Sequence, residues 1–135
     1  MDINVSDAQG AVPVSIMKLQ GDLDGSSYTE VIDKAREVHT GGAQGIVLDL
    51  SEVEYISSAG LVALQSIAKL MRGEAADDSA GWDALHSIDR DRESGVKNSL
   101  KLLNPHPEVD NVLSMVGLKD YFEIFDDQDK AVASF

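Results

Sequence analysis

The sequence predicts an α/β fold with a mostly parallel central sheet of about five strands and helices packed against it. Short apolar runs alternate along the chain with segments whose apolar residues recur at spacings of three and four. The run Ile46–Leu50 is apolar almost throughout, as is typical of a parallel strand covered on both faces. Such an alternation favours helical crossovers between parallel strands. We therefore expect the order β-β-α-β-α-β-α-β-α.

The first elements are predicted from alternating residues and turn signals. Apolar and polar residues alternate in two segments, which predicts a hairpin with strands near residues 2–7 and 12–20. Because Pro13 has no N–H to donate, we expect the start of the second strand to lie at an edge. The run from Ser27 to Glu30 fits a capping box and predicts the start of the first helix, which Gly41 ends.

Two serines stand between the central strand and the helix that follows it. From Ala59 to Met71 the apolar residues recur on one face of a helix. Ser57 and Ser58 therefore lie at a helix N-terminus, where unpaired backbone N–H groups and the helix dipole favour a phosphate. Serine is also a preferred N-cap residue, and this local pattern alone favours simple capping.

The second half of the chain continues the alternation after an interruption. Residues 73–98, rich in Asp, Glu, Ser and Gly, form an atypical acidic insertion that we interpret as a surface feature. Residues 99–103 predict the next strand, and Pro107 opens a helix that ends at Gly117. A last short strand over residues 122–125 and a final helical turn or two over 129–135 complete the chain. The 135 residues most simply form a single domain.

Composition excludes several classes of function. The formal net charge of −13 disfavours nucleic acid and anionic membranes, which both require clustered Lys and Arg. No apolar run approaches the length of a bilayer-spanning helix, and the N-terminus has no signal-peptide pattern, so we expect a cytoplasmic protein without membrane insertion. The absence of cysteine excludes disulfides and thiolate metal sites. The oligomeric state stays open.

A longer motif spans the central strand, loop and helix. The run D-L-S-x-V-x-x-I-S-S-A-G-L-x-x-L, which begins at Asp49, resembles the signature of the STAS family, the sulphate transporter and anti-sigma-factor antagonist domains. The segment Gly21–Asp24 is similar to the Gly-x-Leu-Asp that these domains carry after the equivalent strand. The resemblance covers the whole chain except the insertion and implies the STAS-like fold.

Within the family, the antagonists carry a loop that reads Asp-Ser-Ser/Thr-Gly-Leu before this helix. Ser58 occupies the position of the serine that a partner kinase phosphorylates, and Gly60 and Leu61 match the motif. Ser57 replaces the Asp and Ala59 replaces the second hydroxyl. The resemblance thus implies phosphorylation of Ser58, with Ser57 as the alternative acceptor.

The implied function is that of an anti-sigma-factor antagonist, a non-enzymatic binding module that needs no cofactor or metal. Its implied partners are an anti-sigma factor with an ATP-binding serine-kinase fold and a PP2C-like phosphatase. The expected partner-binding residues lie on two loops and on the first turns of the helix that follows the second loop: Asp22, Asp24, Ser26, Glu54, Tyr55, Ser57, Ser58, Ala59, Gly60 and Leu61. The alternative within the family is a subunit of a stress-sensing complex or of a lipid-transport machine, which binds without phosphorylation.

Two functions outside the family fit the sequence less well. A phospho-receiver domain would use Asp49 as its acceptor, but no Lys follows the strand Leu100–Leu103 as a receiver requires. We interpret Asp49 instead as a strand-end carboxylate bonded to loop amides. A serine hydrolase would need Gly two residues before Ser58, where Ile56 stands, and His86 and His106 lie in surface-like contexts that suggest no catalytic triad.

Overall fold

The structure is a computed structural model that describes residues 1–71 and 99–135, apart from the side chain of Asp120. The strands are β1 (Asp2–Gln9), β2 (Pro13–Gln20), β3 (Gly45–Glu52), β4 (Leu100–Leu103) and β5 (Ile124–Phe125). The helices are α1 (Tyr28–Thr40), α2 (Ser58–Met71), α3 (Pro107–Met115), α4 (Leu118–Tyr121) and α5 (Gln128–Ala133). The predicted order is confirmed for these residues, with α4 as an additional element. The predicted insertion lies outside the described residues.

The five strands form one sheet in the order β1-β2-β3-β4-β5. Only the β1–β2 hairpin is antiparallel, and each later pair is parallel, so the predicted mostly parallel sheet is confirmed. The prediction that Pro13 marks an edge is wrong, because β2 pairs with both β1 and β3. Pro13 is tolerated as the first residue of β2, opposite Gln9, one position before the parallel pairing begins at Val14.

The main hydrophobic core lies on one face of the sheet, which we call the first face, beneath α1 to α4. The apolar stripe predicted for α1 is confirmed, since Val31, Ile32 and Ala35 are buried. The apolar face predicted for α2 is confirmed, and burial extends beyond it, because every residue from Gly60 to Ala68 is buried. This helix contacts both α1 and β4, and its polar residues in that range are enclosed with the apolar ones.

The predicted capping box at α1 is also wrong. Ser27 occupies the N-cap position but makes no side-chain bond to the helix. Its hydroxyl instead donates to the Asp22 carbonyl oxygen at 2.8 Å and accepts from the Asp24 N–H at 3.1 Å. Short polar side chains often bond to nearby backbone in place of a helix end, and here Ser27 stabilises the loop before α1.

A smaller core lies on the opposite face of the sheet, which we call the second face. Helix α5 covers this smaller core. The core consists of six buried residues from the strands and the helix, namely Val14, Ile16, Val47, Leu103, Ala131 and Val132. The last strand is shorter than predicted, because residues 118–121 form α4 and Phe122 enters the main core. Gly117, with φ at 81°, allows the turn between α3 and α4.

Candidate functional site

Two loops meet beyond the carboxyl ends of β2 and β3. The Leu23 N–H donates to the Tyr55 carbonyl at 2.9 Å, and the Ser57 N–H donates to the Leu23 carbonyl at 3.0 Å. These bonds make a parallel bridge between Leu23 and Ile56, two residues before α2 begins. Bridged segments lie about 4.8 Å apart, so the predicted Asp22–Ser26 and Ser51–Ala59 loops form one continuous surface.

The bridge sorts the side chains of both loops into inward and outward sets. Leu23 and Ile56 are buried at 0% and 4% exposure. Side chains alternate along an extended segment, so Asp22 and Asp24 of one loop flank Tyr55 and Ser57 of the other on the outer side. The Tyr55 side chain is prominent there, with 52% of the residue exposed. Glu54 and Ser26 are exposed as well. We call this outer set, together with Ser58, the bridge surface.

Ser57 acts as the N-cap of α2. Its carbonyl oxygen accepts the Leu61 N–H at 3.0 Å, and its hydroxyl accepts the Gly60 N–H at 3.4 Å. Its own N–H is bonded to Leu23 across the bridge, and the side chain is half-buried. The capping that the local sequence favours therefore belongs to Ser57, whose side chain and backbone both hold the start of the helix.

Ser58 is the first residue of α2 and is exposed. Its hydroxyl makes no hydrogen bond to the residues that the structure describes. The side chain lies in the first turn, where the helix dipole and the free N–H groups of the helix end favour negative charge. Of the two adjacent serines, Ser58 is therefore the one whose oxygen is open to modification.

Gly60 brings the start of α2 against the other loop. A Cβ on Gly60 would lie 2.5 Å from the Leu23 carbonyl oxygen and 2.6 Å from Ile56 Cγ1. Leu61, one residue on, is buried at 3% exposure, and Ala59 is half-buried. Gly60 and Leu61 are thus buried and hold the start of α2 in place. The predicted contact residues therefore include exposed side chains and buried residues that position them.

Asp24 shapes the β2–α1 loop through a turn closed by its own side chain. Its Oδ1 accepts the Ser26 hydroxyl at 2.6 Å and the Ser26 N–H at 2.9 Å. These two bonds lower the pKa of Asp24 below its ordinary value, with Ser27 adding to the effect and desolvation opposing it. Because folding lowers the pKa of Asp24, its carboxylate stabilises the turn fully above the ordinary Asp pKa. This stabilisation is lost as the pH falls through the pKa that Asp24 has in the folded protein.

The substitution Ser26→Ala is expected to raise the pKa of Asp24 towards its ordinary value, because the hydroxyl bond is the largest of these contributions. A carboxyl-carbon NMR titration of Asp24 measures the change directly. Ser26→Thr is the matched control, since it keeps a hydroxyl and should keep the pKa low. An unchanged pKa in Ser26→Ala would show that the backbone bond alone holds the carboxylate.

Asp49 does not join the bridge surface. It lies within β3, in register with Lys18 of β2 and three residues before the end of the strand. Its Oδ1 accepts the Ser51 N–H at 3.0 Å, so the predicted bond to a nearby backbone amide is present, but both residues lie within β3 and not at a strand end or in a loop. Asp22 and Asp24 lie beyond the end of β2, so the three carboxylates are not arranged as a receiver site.

The described part of the chain assembles neither a catalytic triad with Ser58 nor a metal site. His39 lies in the last turn of α1, with Nδ1 3.3 Å from the Ala43 carbonyl oxygen, and His106 precedes α3. Neither forms a hydrogen bond with Ser58 among these residues, and His86 lies outside them. No group of three His, Asp or Glu side chains suited to a metal ion occurs within residues 1–71 and 99–135. None of the helices described there is long and apolar enough to cross a membrane.

The sequence that forms this fold and the bridge surface matches a known protein family. The model of the STAS domain family matches residues 5–77, more than half of the chain. The matched region runs from within β1 through α2 and therefore includes both loops of the bridge surface. The chain belongs to the STAS domain family.

Solved structures with the same fold come from regulatory and transport proteins. A Thermotoga maritima protein provisionally assigned as an anti-sigma factor antagonist superposes with a TM-score of 0.70 at 20% identity, covering 98% of this chain and 92% of its own. The phosphorylated form of SpoIIAA, a Bacillus cell fate determinant, gives 0.58 at 16% identity over 98% of both chains. A sulfate transporter family protein from Wolinella succinogenes gives 0.56 at 20% identity, covering 91% of this chain and 86% of its own. At these identities the likeness establishes the fold.

Sequence reasoning missed the part that Ser27 plays in this site. Its pattern with Glu30 indicates a helix cap, whereas the buried hydroxyl links Asp22 and Asp24 and shapes the loop beside Ser57. The available signal was the Asp-x-Asp-x-x-Ser spacing, in which a serine follows two loop carboxylates closely enough for local bonding. Local periodicity did not reveal the pairing of Leu23 with Ile56.

Proposed function

We propose that this chain is an anti-sigma-factor antagonist whose binding is switched by phosphorylation of Ser58. The single observation that carries the proposal is the exposed Ser58 hydroxyl in the first turn of α2, beside the Asp22–Asp24 segment. The proposed partner is an anti-sigma factor with an ATP-binding serine-kinase fold, and a PP2C-like phosphatase reverses the modification. The protein acts in the cytoplasm, as a single STAS domain, without catalysing a reaction itself.

The position of Ser58 suits a reversible phosphoryl group. The group adds about −1.5 to −2 charges, and charge of this sign at a helix N-terminus is favourable by about 0.3–1 kcal/mol. The side chain is exposed, so the phosphoryl group displaces nothing from the core. SpoIIAA, which shares the fold, has been solved both with and without phosphorylation, which supports the idea that a STAS fold accommodates the group. We therefore expect a folded phosphorylated state.

Phosphorylation would release a partner through the negative charge that it adds to the bridge surface. Asp22, Asp24 and Glu54 already place negative charge around Tyr55 and Ser58. A further charge of the same sign that is pressed against an acidic partner group costs several kcal/mol, on the order of a hundredfold or more in affinity. The switch thus works by repulsion at the interface, with the fold unchanged.

The test is phosphosite mapping by mass spectrometry on the protein purified from its native cells. We expect a phosphoryl group on Ser58 that disappears in Ser58→Ala and persists in the matched variant Ser57→Ala. Ser57 is the poorer acceptor because its hydroxyl and backbone cap α2. A Ser58→Ala protein phosphorylated to the same extent as the native one would rule out the assignment and make Ser57 the acceptor.

A second function within the family is constitutive binding as a STAS subunit of another assembly, such as a stress-sensing complex or a lipid-transport machine. Two observations favour it: Ser57 stands where the antagonists have Asp, and the sulfate transporter family protein has the same fold. The same mapping experiment distinguishes the two functions. Complete absence of phosphorylation across growth and stress conditions would support constitutive binding.

A further inference from the structure

A fully buried lysine lies beneath α5 on the second face. Lys101, in β4 opposite Val47, has 0% of its side chain exposed. Its Nζ lies 2.9 Å from Glu123 Oε1 and 5.4 Å from the centre of the Phe135 ring. The contact with Glu123 is an ion pair without the alignment of a hydrogen bond, and no other acceptor among the described residues bonds to Nζ. The ammonium group is therefore enclosed with only partial compensation.

The ion pair joins β4 to the residue before β5, so it does not itself hold α5 in place. Removing an ammonium group from water is costly, and a buried pair repays that cost only when its geometry is good and its remaining donors are satisfied. Here the Glu123 side chain keeps 58% of its surface exposed, so much of its charge stays solvated while that of Lys101 does not. Lys101 regains its hydration whenever α5 moves away.

Helix α5 is attached through few side chains. It has six residues and buries only Ala131 and Val132, while the half-buried Phe135 packs beside them. A helix of this length is not stable alone in water, so its structure depends on docking. The contact is close: a Cβ on Gly10 would lie 2.6 Å from the Val132 carbonyl oxygen, and one on Gly45 would lie 2.6 Å from the Phe135 ring. These two glycines fit the backbone of α5 and the ring against the sheet.

We infer that α5 and Phe135 form a releasable cover over the second face, and that buried Lys101 sets how readily this cover opens. Opening exposes the apolar residues beneath α5 but returns the Lys101 ammonium to water, so it is less unfavourable than opening over an apolar residue. The bridge surface lies in the loops next to α2, whose core is on the first face. The cover therefore opens without dismantling the bridge surface, and this inference does not depend on the proposed function.

Replacing Lys101 by an apolar residue of similar length is expected to close the cover. In Lys101→Met, hydrogen exchange of the Ala131 amide, which is bonded to the Asp127 carbonyl, should slow by about fivefold or more. The Ile46 amide in β3 reports global stability and should exchange no faster than in the native protein. The matched control Lys34→Met makes the same charge change on α1, where Lys34 pairs with the exposed Glu37, and should leave Ala131 exchange unchanged. Unchanged or faster exchange of Ala131 in Lys101→Met overturns the inference.

Replacing the partner of Lys101 in the ion pair, Glu123, tests the same inference if Lys101→Met does not fold. Glu123→Gln leaves the buried ammonium without its counter-charge, and exchange of Ala131 should accelerate by about tenfold while that of Ile46 changes little. Adding Lys101→Met to Glu123→Gln should abolish the acceleration, because no buried charge is left to compensate. If Glu123→Gln leaves Ala131 exchange unchanged, or accelerates Ala131 and Ile46 equally, α5 is not a separately releasable cover.

Discussion

Ser58→Glu is expected to weaken binding to the proposed anti-sigma-factor partner on the order of a hundredfold while leaving the fold intact. The added carboxylate lies in the exposed first turn of α2, where the helix dipole favours it, so the free protein should unfold at the same denaturant concentration. At the proposed interface the same charge would be pressed against the acidic partner group that the proposed switch requires. Titration calorimetry with the anti-sigma factor co-purified from native cells measures the affinity.

Two further variants separate a local effect from a change in total charge. Ser58→Ala should bind as tightly as the native protein, because it removes the proposed phosphorylation site without adding charge. Ser6→Glu adds the same charge at an exposed position of β1 that pairs with Ile16, well before the carboxyl end of β2, and should bind normally. If Ser58→Glu binds as tightly as Ser58→Ala, charge at Ser58 does not control binding and constitutive binding becomes the better explanation.

The central unit of the fold could be predicted from sequence because its signals are local. The change from the continuous apolar run Ile46–Leu50 to helical spacing after Ala59 places a strand, a loop and a helix without reference to any other part of the chain. The serine pair then falls at the helix start by counting alone. The positions of Ser57 and Ser58 at the start of the helix were therefore predictable. The sequence did not show that Ser57 caps the helix while the Ser58 hydroxyl is exposed.

The features that sequence did not predict depend on residues far apart in the chain. The bridge that brings the Asp22–Asp24 segment beside Tyr55 and Ser57 joins Leu23 and Ile56, which are 33 positions apart in the chain. Lys101 is similar: a lysine in a four-residue strand normally indicates an exposed side, yet Glu123 and Phe135 enclose it from the end of the chain. Local periodicity contains no information about such partners.

Gly60→Ala is expected to destabilise the protein by about 2–3 kcal/mol, the largest loss we expect from adding one methyl group to this site. The new Cβ would lie 2.5 Å from the Leu23 carbonyl oxygen, a backbone atom that already accepts the Ser57 N–H. Relieving the clash moves α2 away from the bridge and weakens that bond, a loss of about 1 kcal/mol on top of the overpacking. The better helix propensity of Ala offsets about 1 kcal/mol.

The matched control for this substitution is Gly25→Ala, in the other loop of the same surface. Apart from its chain neighbours, no atom of residues 1–71 and 99–135 lies within 4 Å of a Cβ on Gly25, so the stability of Gly25→Ala should stay within about 0.5 kcal/mol of the native value. Urea unfolding of the native protein, Gly60→Ala and Gly25→Ala at one temperature gives the change in the free energy of unfolding for each variant. A Gly60→Ala protein as stable as Gly25→Ala would mean that α2 can shift without cost. Helix position would then not be set by the contact with Leu23, and the spacing between Ser58 and the Asp22–Asp24 segment would be adjustable rather than built into the fold.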